Sequence, residues 1–273
     1  MIEATGLSLR LGATPILHDV SFTAAAGQLT AILGPNGCGK TTTLRAIAGE
    51  LPFEGQVTIG GEDLMRLAPM ELAQRRAVLP QASVIAFPFT VREIVGMGVI
   101  ASGAAPGAAE DRVFEALSAV DLDGFGGRLY QELSGGEQQR VQLARALTQI
   151  WSPLRDGKPC FLLLDEPVSS LDIRHQLTIM RLAQDYCRRG GGVVAVMHDL
   201  NLTAMFANRL VVMKRGRVEA LGTPTEVLTD ATLEHVFGCP MRVGALPGPD
   251  MPFVLPQTVG QGVPRRPGSE QIA

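Results

Sequence analysis

Leu29-Thr30-Ala31-Ile32-Leu33, Gly34-Pro35-Asn36-Gly37-Cys38-Gly39-Lys40-Thr41 and Thr42-Thr43-Leu44-Arg45-Ala46-Ile47-Ala48 form the continuous stretch on which the fold turns. The first segment is nearly unbroken apolar sequence, as a strand covered on both faces requires. The last has good helix formers at helical spacing. The middle fits G-x-x-x-x-G-K-[ST] position for position. Strand, glycine-rich turn and helix in that order predict a phosphate cradle. The glycines let the backbone wrap so that its N–H groups point inward, and the helix adds its positive N-terminus. Gly34, Pro35, Asn36, Gly37, Cys38, Gly39, Lys40, Thr41 and Thr42 are the candidate phosphate-binding residues, with Lys40 reaching the outer oxygens and Thr41 a ligand for Mg²⁺. Cys38 occupies a free position of the pattern and reads as a tolerated small residue rather than a redox sensor.

A phosphate-cleaving site needs a second metal carboxylate and a group that activates water. Phe161-Leu162-Leu163-Leu164 reads as another buried strand, and it ends in Asp165-Glu166. Asp165 is placed to bind Mg²⁺, directly or through water, and Glu166 to accept the proton of the attacking water. Val193 to Met197 is a further buried strand, followed at once by His198. Helical segments over about 138–149 and 174–187 separate these strands, as a right-handed parallel βαβ arrangement requires. A nucleotide kinase would need a phosphoryl-acceptor pocket, and no such constellation stands out.

Leu133-Ser134-Gly135-Gly136-Glu137-Gln138-Gln139-Arg140 then decides the class. Ser134 and the backbone donors of Gly135 and Gly136, at a helix N-terminus, make a second anion site. The run resembles the LSGGQ signature of ABC ATPases with Glu137 in the last place. The resemblance covers about residues 1–243 and implies an α/β P-loop NTPase: a RecA-like parallel-sheet core, an N-terminal antiparallel β region and an α-helical insertion. It makes Gln81 the Q-loop glutamine, a catalytic and Mg²⁺-contacting group beside the docking face for a transmembrane partner. Ser170-Leu171-Asp172 resembles the loop that crosses the dimer interface, and His198 the histidine that contacts the γ-phosphate. Asp199 is expected to orient a loop. The family's adenine-stacking aromatic is missing; Leu11 or a neighbour holds that place, which would give apolar contact without ring stacking.

The chain has 273 residues, 46% of them hydrophobic and 19% charged, enough for a sizeable core. A net charge of −3 gives no basic field, which argues against nucleic acid as a partner. Mean hydropathy is +0.18, yet the longest apolar runs, Cys160 to Leu164 and Val193 to Met197, hold five residues each. A spanning helix needs about 20. The start MIEATGLSLR lacks a basic leader and an apolar stretch, so a secretory signal is not expected. Cys38, Cys160, Cys187 and Cys239 lie apart with no C-x-x-C pair, and free thiols are expected.

One domain is expected over 1–245, with a helical subdomain over about 84–145 in which Asp111 opens the apolar stripe of Val113, Leu117 and Val120. Residues 246–273 contain six of the 18 prolines and read as a frayed tail. The first 30 residues read as an antiparallel hairpin region. No internal repeat is visible, so tandem nucleotide-binding halves are not expected.

One nucleotide domain without a membrane segment implies, within the family, a homodimer on two transmembrane permease subunits. ATP is then sandwiched head to tail between Lys40 of one chain and Ser134 of the other. The extra residues Trp151 to Lys158, with AFPFTVREIVGMG and SSLDIRHQ, resemble the hemin-import group among iron-siderophore and cobalamin importers. That implies an ATPase on the cytoplasmic face of the inner membrane, working with a periplasmic hemin-binding protein. Ferric siderophore or cobalamin import is the alternative within transport. A soluble ABC ATPase of another kind would need coiled-coil insertions or tandem domains. His175 and His235 are expected to be solvated or packed rather than haem ligands.

Overall fold

A computed structural model describes residues 1–83, 85–104, 109–248 and 250–259. In chain order the elements are β1 (Ile2–Leu11), β2 (Thr14–Ala24), β3 (Leu29–Leu33), α1 (Lys40–Ile47), β4 (Glu54–Ile59), β5 (Glu62–Asp63), α2 (Pro69–Arg75) and β6 (Arg76–Leu79). Then come α3 (Val91–Ala101), α4 (Ala109–Ala119), α5 (Gly135–Gln149), β7 (Leu154–Arg155), β8 (Lys158–Pro159), β9 (Phe161–Asp165), α6 (Ile173–Arg188) and β10 (Gly192–Val196). The chain continues through α7 (Leu200–Phe206), β11 (Arg209–Lys214), β12 (Arg217–Gly222), α8 (Pro224–Val227) and α9 (Asp230–Phe237).

The central sheet has the order β12-β11-β3-β10-β9-β6, all parallel except the edge strand β12. Strands β3, β9 and β10 are buried at every position, which explains why their sequences do not alternate. One face, through Leu29, Ala31, Leu162 and Val193, packs on the helices of the insertion and on α6. The other, through Ile32, Phe161, Leu163 and Val194, packs on Leu44 and Ile47 of α1 and on the antiparallel sheet. That second sheet, β2-β1-β4-β5, starts with the expected hairpin, whose two-residue turn places Gly12 at φ +59°. The expected α/β core, antiparallel region and helical insertion are all present.

Boundaries differ in intelligible ways. Helix α5 starts at Gly135 rather than Gln138 because Ser134 caps it. Helix α4 starts at Ala109, so Asp111 stands in its first turn instead of opening it. Residues 105–108 of the small-residue loop lie outside the described residues, as do 260–273 of the tail. The nearer tail is not frayed: Pro256 is buried, and the Gln257 side-chain amide donates to Asn201 O of α7 at 3.2 Å.

The extra residues after Trp151 form the small β7–β8 hairpin, a strut between two parts of the molecule. Lys158 Nζ lies 2.6 Å from Glu62 Oε1, and Arg75 reaches the same oxygen at 2.9 Å. On the other side the Arg155 guanidinium donates to Ser102 O, just past α3, at 2.8 Å. Hydrogen bonds from Arg75 and Lys158 hold the Glu62 carboxyl down at about 2.

The helical subdomain closes on a glycine. A Cβ on Gly98 of α3 would lie 2.1 Å from Arg145 O and 2.3 Å from Thr148 Oγ1 of α5. Thr148 Oγ1 donates there to Val95 O at 2.9 Å, so the two helices are locked at close approach. Gly98→Ala is expected to destabilise the chain by about 1–3 kcal/mol through overpacking. Thermal unfolding of the full chain checks this, and an unchanged midpoint would contradict the close packing.

Candidate functional site

The cradle is shaped by contacts that only glycine permits. Gly34, just past β3, has φ +150°, and a Cβ there would stand 2.2 Å from Met213 O of β11. Gly39 has φ +102°, with Leu17 of β2 2.8 Å from where a Cβ would be. Gly39 is also the N-cap of α1 and has no side chain to accept a hydrogen bond. The first-turn N–H groups of α1 are thereby left for an anion. Lys40 is buried, and its Nζ donates to Gly34 O at 2.9 Å and Pro35 O at 3.0 Å, so the ammonium lies along the inside of the loop. The loop is tied to the β11–β12 turn by Gly216 N donating to Cys38 O at 2.9 Å. Cys38 is buried, and burial pushes its thiol above the usual range, which suits a packing residue and not a reactive thiolate.

Strand β9 delivers the carboxylates. Asp165, its last residue, pairs in register with Val196 of β10 and is buried. Thr41 Oγ1 donates to Asp165 Oδ1 at 3.0 Å across the space between helix α1 and the sheet. Burial pushes the Asp165 carboxyl upward, opposed by the Thr41 hydrogen bond and by Lys40. The hydroxyl, the carboxylate and the Gln81 side chain on the cleft wall give an all-oxygen donor set that suits Mg²⁺. Among the described residues no group of three or more His, Cys, Asp or Glu could hold a metal by itself.

Glu166 has φ +51°, in the left-handed region that side chains of this kind seldom occupy. The Glu166 carboxylate meets His198, with Glu166 Oε1 and His198 Nε2 2.5 Å apart. His198 follows β10, and Asp199 behind it caps α7 by accepting from Asn201 N at 2.7 Å and Leu202 N at 2.9 Å. Asp199 therefore fixes the loop, as expected.

These parts converge on one open cleft of about 770 Å³, lined by Ile16, Asn36, Gly37, Gly39, Lys40, Thr41, Thr42, Gln81, Glu166 and His198. Gly34, Pro35 and Cys38 are not among its lining residues and shape the loop. Ile16 is the residue that sequence reasoning missed. Leu11 is exposed at the hairpin tip, whereas Ile16 Cγ2 would stand 3.7 Å from a Cβ on Gly39. The available signal was the hairpin alternation: buried Leu17 faces inward, so its neighbour Ile16 faces the cradle.

The signature residues do not line this cleft. Ser134 is exposed at the start of α5, and its Oγ accepts from Glu137 N at 3.4 Å. Glu137 Oε2 in return accepts from Ser134 N at 2.8 Å and Ser134 Oγ at 2.6 Å, a capping box that holds its carboxyl below the usual range. Within this chain the Glu137 carboxylate serves the cap and does not line the cleft. Asp172 similarly caps α6, accepting from His175 N at 2.9 Å, which lowers its own carboxyl. It too lies off the cleft. His235 lies 3.1 Å from Glu219, and both His175 and His235 have structural partners.

A family profile described as ABC transporter matches residues 17–169. The chain is 63% identical over 259 residues to the hemin import ATP-binding protein HmuV of Rhizobium meliloti, covering 94% of this chain and 99% of that protein. It is 56% identical over 260 residues to the protein of the same name from Mesorhizobium japonicum, covering 94% and 99%. A solved ATP-binding subunit of an ABC transporter superposes with a TM-score of 0.75 at 25% identity, over 90% of this chain and 95% of that one. A dimeric bacterial ABC transporter cassette superposes with a TM-score of 0.71 at 28% identity, over 82% and 99%. With a phosphate cradle, an Asp165-Glu166 carboxylate pair at the end of a buried strand and a separate signature helix in one fold, the chain belongs to the ABC transporter family, as its ATP-binding, ATP-hydrolysing subunit.

Proposed function

We propose that this chain energises hemin uptake across the inner membrane as the ATPase subunit of an import complex, docked on its cytoplasmic face through the permease. The observation that carries the cargo is the identity of 54–63% to hemin import ATP-binding proteins along about 94% of the chain. The working unit is a head-to-tail homodimer on two transmembrane permease subunits, supplied by a periplasmic hemin-binding protein. Among the described residues no helix is long and apolar enough to cross a membrane, so any channel belongs to those partners. Residues 1–245 act as one ATP-binding domain.

The exposed position of Ser134, away from the cleft of its own chain, supports the head-to-tail pairing. Ser134, Gly135 and Gly136 meet the γ-phosphate of ATP held by the other copy, and the loop at Asp172 crosses between the two. In each cradle Lys40 exchanges the Gly34 and Pro35 carbonyls for β- and γ-phosphate oxygens. Thr41, Asp165 and Gln81 would hold Mg²⁺, which when bound offsets the charge on those oxygens. A water attacks the γ-phosphorus as the bond to the β-bridging oxygen breaks, and its proton passes to Glu166. His198 orients the Glu166 carboxylate and contacts the γ-phosphate. Ile16 supplies apolar contact for the base. ATP closes the pair, closure moves the permease through the Gln81 loop, and hydrolysis reopens it.

Growth tests the cargo. A strain lacking this chain is expected to fail on hemin as sole iron source and to recover when the chain is restored. Undiminished growth on hemin, with loss of ferric siderophore or cobalamin use instead, overturns the hemin assignment.

A further inference from the structure

We propose that Gln139 is a positioning residue that sets the backbone of Glu166 and so couples the signature end of each chain to that chain's own water-activating carboxylate. The inference rests on the head-to-tail ATPase reading above. Glu166 needs external support because its left-handed φ of +51° is one that a residue with a side chain rarely adopts. Its backbone is held from three directions. Its N–H donates to Val196 O at 3.2 Å, and its carbonyl accepts from Ser169 N at 3.4 Å and Ser169 Oγ at 3.2 Å and from the Gln139 side-chain amide at 2.9 Å.

The first two come from the sheet and from the loop itself. Only the third reaches in from α5, the helix that Ser134 opens. Gln139 Oε1 is buried and meets no partner among the described residues. An amide that leaves its acceptor unmade has been fixed for its donor alone, since a buried unpaired oxygen carries a desolvation cost.

A second contact runs along the same path. A Cβ on Gly136 would stand 3.1 Å from both Ser170 O and Leu171 Cδ2, so the signature backbone rests directly on the loop that follows Glu166. On the far side of that loop, Gln176 of α6 donates to Val168 O at 3.2 Å and to Leu171 O at 3.0 Å. The segment from Glu166 to Asp172 is clamped between α5 and α6 and must follow α5 when it moves.

In a head-to-tail pair Ser134 is loaded by ATP held in the other copy, whereas Glu166 serves the cradle of its own chain. Gln139 joins the two. Binding at one site thereby presets the carboxylate geometry at the other, through a path less than two helical turns long.

The test compares Gln139→Met, which keeps length but loses the donor, with Gln139→Lys, which restores an N–H donor. Steady-state ATP hydrolysis by the assembled transporter is measured against ATP concentration. Gln139→Met is expected to lower kcat about tenfold with KM within about twofold, and to bring the Hill coefficient to 1 from a parent value above 1. Gln139→Lys is expected to recover most of the turnover. A Met variant with parental kcat and Hill coefficient overturns the proposal, as does a Lys variant as impaired as the Met variant, or a parent without cooperativity. A parent that hydrolyses no ATP would instead overturn the ATPase reading itself.

Discussion

Glu166→Gln is expected to lower ATP turnover by about 10²–10⁴-fold, the range a positioned general base contributes, while nucleotide binding stays near the parental level. In free-energy terms this raises the barrier by about 3–5 kcal/mol at 1.36 kcal/mol per decade. The substitution keeps the volume of the side chain and the backbone at φ +51°, so the His198 contact and the cradle survive. What is lost is the carboxylate basicity that takes the proton of water. Neutralising Glu166 also removes a negative charge beside Asp165, whose own burial already disfavours ionisation, and the ATP-bound pair should separate more slowly. Gel filtration with ATP should show a persistent dimer, and single-turnover assays should show the slow step at phosphate cleavage. Undiminished turnover in the assembled transporter would remove Glu166 from the role of base.

The cradle was legible because its determinants are local. A buried strand, glycines at Gly34 and Gly39 and a helix starting at Lys40 are consecutive in the chain, and each constrains its neighbours directly. The uniform burial of β3, β9 and β10 was equally legible, since a strand covered on both faces cannot alternate. Less legible were features set by distant contacts. The left-handed kink at Glu166 depends on Val196 and on α5, and nothing in the dipeptide Asp165-Glu166 announces it. Ile16 was missed because the resemblance pointed to a residue near the hairpin tip, whereas the register of β1 with β2 decides which residue faces Gly39. The capping role of Glu137 follows from its place at the N3 position of a helix, which the signature motif alone does not display. The tail looked structureless because its prolines and glycines remove periodicity, yet Pro256 buries itself on α7 without needing any.

Lys40→Ala is expected to weaken ATP binding itself, by about a hundredfold or about 2.7 kcal/mol at 1.36 kcal/mol per decade. Among the described residues Lys40 is the only lysine or arginine lining the cleft, so no neighbour of that kind replaces its charge against the triphosphate. Its ammonium also bridges Gly34 O and Pro35 O, two carbonyls that would otherwise face an incoming anion with their negative ends. Removing it therefore deletes an attraction and exposes a repulsion. The remaining cradle keeps the α1 N-terminus and the loop N–H groups, which is why residual binding is expected rather than none. The fold should tolerate the change, because alanine is a good helix former at the first position of α1 and the loop stays anchored to Gly216. Titration with a fluorescent ATP analogue separates this outcome from that of Glu166→Gln, which should bind and not turn over. Parental affinity in Lys40→Ala would mean that the glycine-rich loop does not hold the triphosphate, and the assignment of the cleft would fall with it.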